Sequence, residues 1–188
     1  PVSLTASSQN KYPTVNSNIV DLIIAVVDAN RIKMVPGLAR DQSSTVLYFT
    51  EFAIDDMNGN KLIAGDLDVI ASNFQADIVP PIPVSFAADM NSGVLHITFD
   101  EPIVHNSLQP HRITLQAASN SLDLYTGFKN ATPSYTLLDG DSIAPDGLTL
   151  SVQIPSSELH EIKFLSMFTS GDDSVLILES GAVTDVAA

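Results

Sequence analysis

The chain has 188 residues, with 22 acidic against 8 basic side chains and a net charge of −14. A field of that sign repels phosphate backbones and anionic headgroups, which puts nucleic acid and membrane surfaces last among expected partners. Hydrophobic residues make up 45% and charged residues 16%, enough apolar material for a packed core, so disorder is excluded as the main state.

From the start, Pro1-Val2-Ser3-Leu4-Thr5 lacks the basic-then-apolar order of a signal peptide. The reading expects a removed leader, a stretch of a longer polypeptide, or both. Asp28-Ala29-Asn30-Arg31-Ile32-Lys33-Met34-Val35 predicts a short helix with Asp28 as its N-cap, closed by Pro36-Gly37. Gln75-Ala76-Asp77-Ile78-Val79-Pro80-Pro81-Ile82-Pro83 carries three prolines in four positions, and predicts an extended, stiff joint. Beyond it, Val94-Leu95-His96-Ile97-Thr98-Phe99 alternates, so Leu95, Ile97 and Phe99 share one strand face and His96 and Thr98 the other. Ile113-Thr114-Leu115-Gln116, residues 148–154 and Val175-Leu176-Ile177-Leu178 read the same way or as buried strands. Asn91-Ser92-Gly93, Asp139-Gly140-Asp141, Pro145-Asp146-Gly147 and Gly171-Asp172-Asp173 mark turns. Ser156-Ser157-Glu158-Leu159-His160-Glu161-Ile162-Lys163 predicts a second short helix with serine caps. No apolar run reaches the roughly 20 residues of a membrane span. The pattern is all-β, in antiparallel sandwiches, with one short helical turn per repeat.

The two helices follow apolar strands by the same interval, and the similarity extends further. At an offset of 130, Ile24 lies over Ile154, Ala29 over Leu159, Ile32-Lys33 over Ile162-Lys163, Val46 over Leu176 and Asp55 over Asp185, without a gap. Upstream, Val2–Ser8 resembles Ile113–Ser119, with a length change in the loop between. The expected organisation is therefore residues 1–75 as the later part of one repeat without its opening strands, a joint at 76–83 (Asp77, Pro80, Pro81 and Pro83), and residues 84–188 as a second repeat without its closing strand. A half sandwich exposes unpaired edges, so completion by neighbouring repeats or by copies of the chain is expected.

Residues 77–86 followed by Asp89-Met90-Asn91-Ser92-Gly93-Val94-Leu95-His96-Ile97-Thr98-Phe99 resemble the opening of tandem Ig-like repeats in large cell-surface proteins of algae and other protists. Glu158-Leu159-His160-Glu161-Ile162-Lys163, Ser180-Gly181-Ala182-Val183-Thr184-Asp185 and Asp55-Asp56-Met57-Asn58-Gly59-Asn60 match the later signatures of such repeats. Pro81, Pro83 and Pro102 depart from the pattern. The resemblance implies Ig-like sandwiches in an extracellular structural or adhesive protein, at a cell surface or on a flagellar appendage such as the mastigoneme.

Among candidate sites, Asp55, Asp56, Asn58 and Asn60 place oxygen ligands at spacings that partly match a calcium loop, with Asp66, Asp68 and Asp77 further along. Calcium takes six to eight oxygens, and no further acidic ligand follows at the loop's spacing; an Asx-rich turn is the competing reading. Asn130-Ala131-Thr132 is an N-glycosylation sequon. His96, His105, His111 and His160 lack metal-ligand spacing. Asp100 and Glu101 point to opposite strand faces and make poor acid–base partners. The rings of Tyr12, Tyr125 and Phe128 are candidates for stacking on sugars, but tryptophan, the best platform residue, is absent. Without cysteine there is no disulfide framework, thiolate site or thiol nucleophile. The sequence reads as a non-enzyme: a structural repeat of an extracellular filament or appendage, with copies of itself or neighbouring repeats as partners. The alternative is an adhesin-like module for glycan or protein, with calcium as its candidate cofactor.

Overall fold

The computed structural model describes residues 1–11, 17–63, 69–117, 133–145, 147–165, 167–171 and 174–186. Two groups of residues pack among themselves, Pro1–Ile78 and Val79–Val186. In the first, β1 (Gln9–Asn10) pairs antiparallel with β2 (Leu22–Ile23), and the chain enters α1 (Val26–Lys33). After α1, β3 (Val46–Leu47) pairs antiparallel with β4 (Val69–Ile70). Among the described residues of Pro1–Ile78, Asp28 is the sole buried side chain. Residues 19–24, apolar apart from Asp21, are all exposed.

The second group holds the apolar core. Its first sheet is built on the alternating segment, β6 (Val94–Val104), which β5 (Pro83–Asp89) joins through a hairpin. The second sheet centres on β7 (Ile113–Ala117), flanked by β8 (Ser134–Thr136) and, later in the chain, β11 (Ser174–Leu178). Returning to the first sheet, β9 (Asp141–Ser142) pairs with β10 (Gly147–Gln153), and β10 lies along β6. Helix α2 (Ser156–Phe164) follows, and β12 (Thr184–Asp185) pairs with the end of β6 on the edge opposite β10. Leu95, Ile97 and Phe99 of β6, Leu150 and Val152 of β10, Ile113 and Leu115 of β7, and Leu159 and Ile162 of α2 form one buried cluster. Full burial of each such side chain contributes about 1.5–3 kcal/mol. His96 and Thr98 take the other face, where His96 Nδ1 lies 2.8 Å from Ser151 Oγ.

Two prolines find places that the alternation did not mark. Pro83 opens β5: it stands opposite Phe99, and at the preceding Ile82 the carbonyl accepts the Asp100 N–H while the N–H donates to Asp100 Oδ1 across the same edge. An edge position tolerates a residue without an N–H. Pro102 sits inside β6, where residues 99–102 stand against Leu148 alone; this bulge removes the partner that its missing N–H would need.

The hairpin between β5 and β6 turns at Gly93, whose φ is +72°. A Cβ there would lie 3.0 Å from Leu159 Cδ2 and 3.3 Å from the Ile154 carbonyl oxygen. Gly93→Ala is therefore expected to destabilise Val79–Val186 by about 1–3 kcal/mol, read as a lower urea midpoint with an unchanged slope.

The two helices start alike. Helices α1 and α2 begin at Val26 and Ser156, positions equivalent at the offset of 130, and each follows an extended N-cap, Ala25 (φ −66°, ψ 149°) and Pro155 (φ −57°, ψ 145°). Neither N-cap makes a side-chain capping bond. The expected Asp28 and serine caps are thus corrected: Asp28 is the third helical residue and Ser156 the first. The Lys11 N–H donates to the Asp21 carbonyl as the Ile143 N–H donates to that of Ser151, and Asp21 is equivalent to Ser151. That ladder sets residues 9–11 over 141–143.

Candidate functional site

Each of the two units carries one carboxylate node at the same helical position. In Pro1–Ile78 the Asp28 carboxylate accepts the Thr5 N–H at 2.8 Å, the Thr5 hydroxyl at 2.9 Å and the Ser8 hydroxyl at 2.7 Å, and pairs with Arg31 at 3.1 Å. The Ser8 hydroxyl also accepts the Ala25 N–H at 3.0 Å, so the node ties the helix entrance to the preceding segment. The bond from Ser8 does most to hold the Asp28 carboxyl below its ordinary value, against burial and with help from Thr5 and Arg31. In Val79–Val186 the buried Glu158, third residue of α2, accepts the N–H groups of Leu138 and Asp139 at 2.8 and 2.9 Å. Burial, then the neighbouring Glu158, pushes the Tyr135 hydroxyl above its usual range. Both nodes use an acid in the first turn, where the helix dipole favours negative charge. Their chemistry is structural: charge-assisted bonds that fix a segment to a helix.

The candidate calcium loop is a closed turn. Asp56 Oδ1 accepts the Asn58 and Asn60 N–H groups, and Oδ2 accepts the Asn60 amide, each at 2.8 Å. The Asn60 side chain leads in lowering the Asp56 carboxyl. Asp55 stands in a backbone bridge with Lys61, and Gly59 supplies the positive φ of 79°. Both Asp56 oxygens thus face inward on their own loop, the Asx-turn alternative. Asp77 forms an ion pair with Lys33, the last residue of α1. Asp66, Asp68, Asn130, Tyr12, Tyr125 and Phe128 lie outside the described residues.

His105 and His111 occupy separate 3-10 turns, His105–Ser107 and Pro110–Arg112, and His160 is exposed on α2. Among the described residues, no histidine belongs to a group of three side chains close enough to hold a metal ion. Asp100 is exposed and Glu101 buried, on opposite faces as read. The acid near Glu101 is Asp185 of β12, also buried, with carboxylate oxygens within 4.8 Å. Their approach comes from β12 lying on β6, a long-range pairing that leaves no local spacing signal.

No helix among the described residues is long and apolar enough to cross a membrane. Comparisons with family models, with curated proteins and with solved structures return no match.

Proposed function

We propose that the chain is a structural segment of tandem Ig-like β-sandwich repeats, working in an extracellular filament or cell-surface appendage. The observation that carries this reading is the internal repetition: the same strand, helix and buried first-turn acid recur at an offset of 130, while among the described residues the buried apolar cluster belongs to Val79–Val186. A fold that repeats its scaffold and leaves one copy without a closed core suits assembly with like neighbours. The sites described are bonds between a helix and its flanking segment, which serve architecture rather than turnover.

The test is electron microscopy of the native material together with mass spectrometry of the intact polypeptide. Ordered filaments or a covalent array of repeats are the expected results, with glycan mass at Asn130 an accompanying expectation. Soluble monomers of this length would overturn the reading. Filaments that dissolve in chelator would instead favour a calcium-held adhesive module.

A further inference from the structure

We propose that the edge of β2 facing away from β1 is a docking site for one extended strand of the β6 pattern, carried by the β-hairpin of a neighbouring repeat. The inference rests on the structural-repeat reading and adds the site and its occupant. The argument is internal to the molecule, because β10 shows what covers the equivalent edge. The Asp21 carbonyl points to β1, as that of Ser151 points to β9. Peptide groups alternate along an antiparallel strand, so Val20, Leu22 and Ile24 present theirs to the other edge. Their equivalents Leu150, Val152 and Ile154 face β6 and Gly93, with Ile154 donating its N–H to the Gly93 carbonyl.

The side chains tell the same story. Leu150, Val152 and Ile154 are 0%, 0% and 3% exposed, whereas Val20, Leu22 and Ile24 are 47%, 48% and 47% exposed. Sequence chemistry is conserved within the molecule at all three places; what differs is the strand laid against them. Among the described residues, β2 has no partner but β1. In the register of β10 on β6, an incoming copy of that pattern would set Ile97 on Val20, His96 on Asp21 and Leu95 on Leu22. Every second contact is apolar, and the one between them pairs an imidazole with a carboxylate.

The other missing neighbour already has a substitute. The Ala71 N–H donates to the Thr45 carbonyl, and Thr45 is equivalent to Val175, whose peptide groups face β7. Strand β4 therefore occupies on β3 the side that β7 occupies on β11. The place left open in Pro1–Ile78 is that of β6, which is why a single hairpin rather than a half-domain is the occupant. The β5–β6 hairpin of the same chain is held by its own β10.

The probe is a synthetic peptide of residues 83–104, added to the 188-residue chain and followed by amide hydrogen exchange resolved to single residues. Protection of Val20, Leu22 and Ile24 is expected to rise by about tenfold or more, with Leu150 and Val152 unchanged. Leu22→Pro removes an N–H that points to the open edge, and should abolish the gain. A peptide N-methylated at Ile97 leaves the chain untouched and should also give none. No gain with about 1 mM peptide, or a gain indifferent to both blocks, overturns the proposal. Self-association of the chain alone that protects the same amides also overturns it, in favour of a second copy as occupant. Filaments seen by microscopy together with no peptide binding would sink the docking edge and leave the structural reading standing.

Discussion

Replacing Asp28 by alanine is expected to unfold α1 and release the segment that carries Thr5 and Ser8, while Val79–Val186 stays folded. The reason is that, among the described residues of Pro1–Ile78, no other side chain is buried. An isolated helix shorter than about 12–15 residues is marginal in water, and α1 has eight. Among the described residues of Pro1–Ile78, no apolar side chain is buried to support it. What holds the helix entrance is one carboxylate that gathers Thr5, Ser8 and Arg31. Removing it leaves those donors without their shared acceptor. Amide exchange of Val26–Lys33 should approach the rate of an unfolded peptide, with the core amides of β6 and β10 still protected. Undiminished protection of α1 would refute this account.

The same node makes the first repeat acid-sensitive. The Asp28 carboxyl is held below its ordinary value of 3.8 by Ser8 first, then by Thr5 and Arg31, with burial acting in opposition. A carboxyl with a lowered folded value stabilises the fold above its unfolded value, and that stability fades as the pH falls through the folded one. Protection of α1 should be complete at about pH 6 and begin to fail below about pH 4. Asp28→Asn retains the shape and one acceptor but cannot be discharged, so its weaker protection should vary less across that range.

The sequence made the second repeat legible where one strand face is buried. Leu95, Ile97 and Phe99 alternate because every second side chain of β6 enters the core, and Ile113 and Leu115 do so in β7. Both helices and their equivalence were legible too, since the offset of 130 runs without a gap through α1 and α2. The carboxylate nodes were not. Asp28 before a polar stretch resembles a cap, but Val26 and Val27, which look like a strand's end, are already helical. Its partners Thr5 and Ser8 lie 23 and 20 residues upstream, and only the fold brings them in. Glu101 and Asp185 meet through the pairing of β12 with β6, which no local spacing encodes.

Glu158→Ala is expected to lower the stability of Val79–Val186 by about 2–4 kcal/mol, since bonds to a charged acceptor are worth more than neutral ones. Two bonds are lost at once, those from the Leu138 and Asp139 N–H groups. The Tyr135 hydroxyl loses its acidic neighbour as well. Unlike Asp28, Glu158 sits beside Leu159 and Ile162, which remain buried against both sheets. The helix should therefore survive the substitution, with the damage confined to the approach of residues 137–140. Chemical denaturation should show a lower midpoint for one cooperative transition, and amide exchange should quicken at Leu138 and Asp139 before it does in α2. Glu158→Gln keeps an acceptor for one of the two N–H groups, and roughly half of the loss should be restored. If α2 itself melted in Glu158→Ala, the node rather than the core would be holding the second helix, and the two repeats would depend on their acids alike.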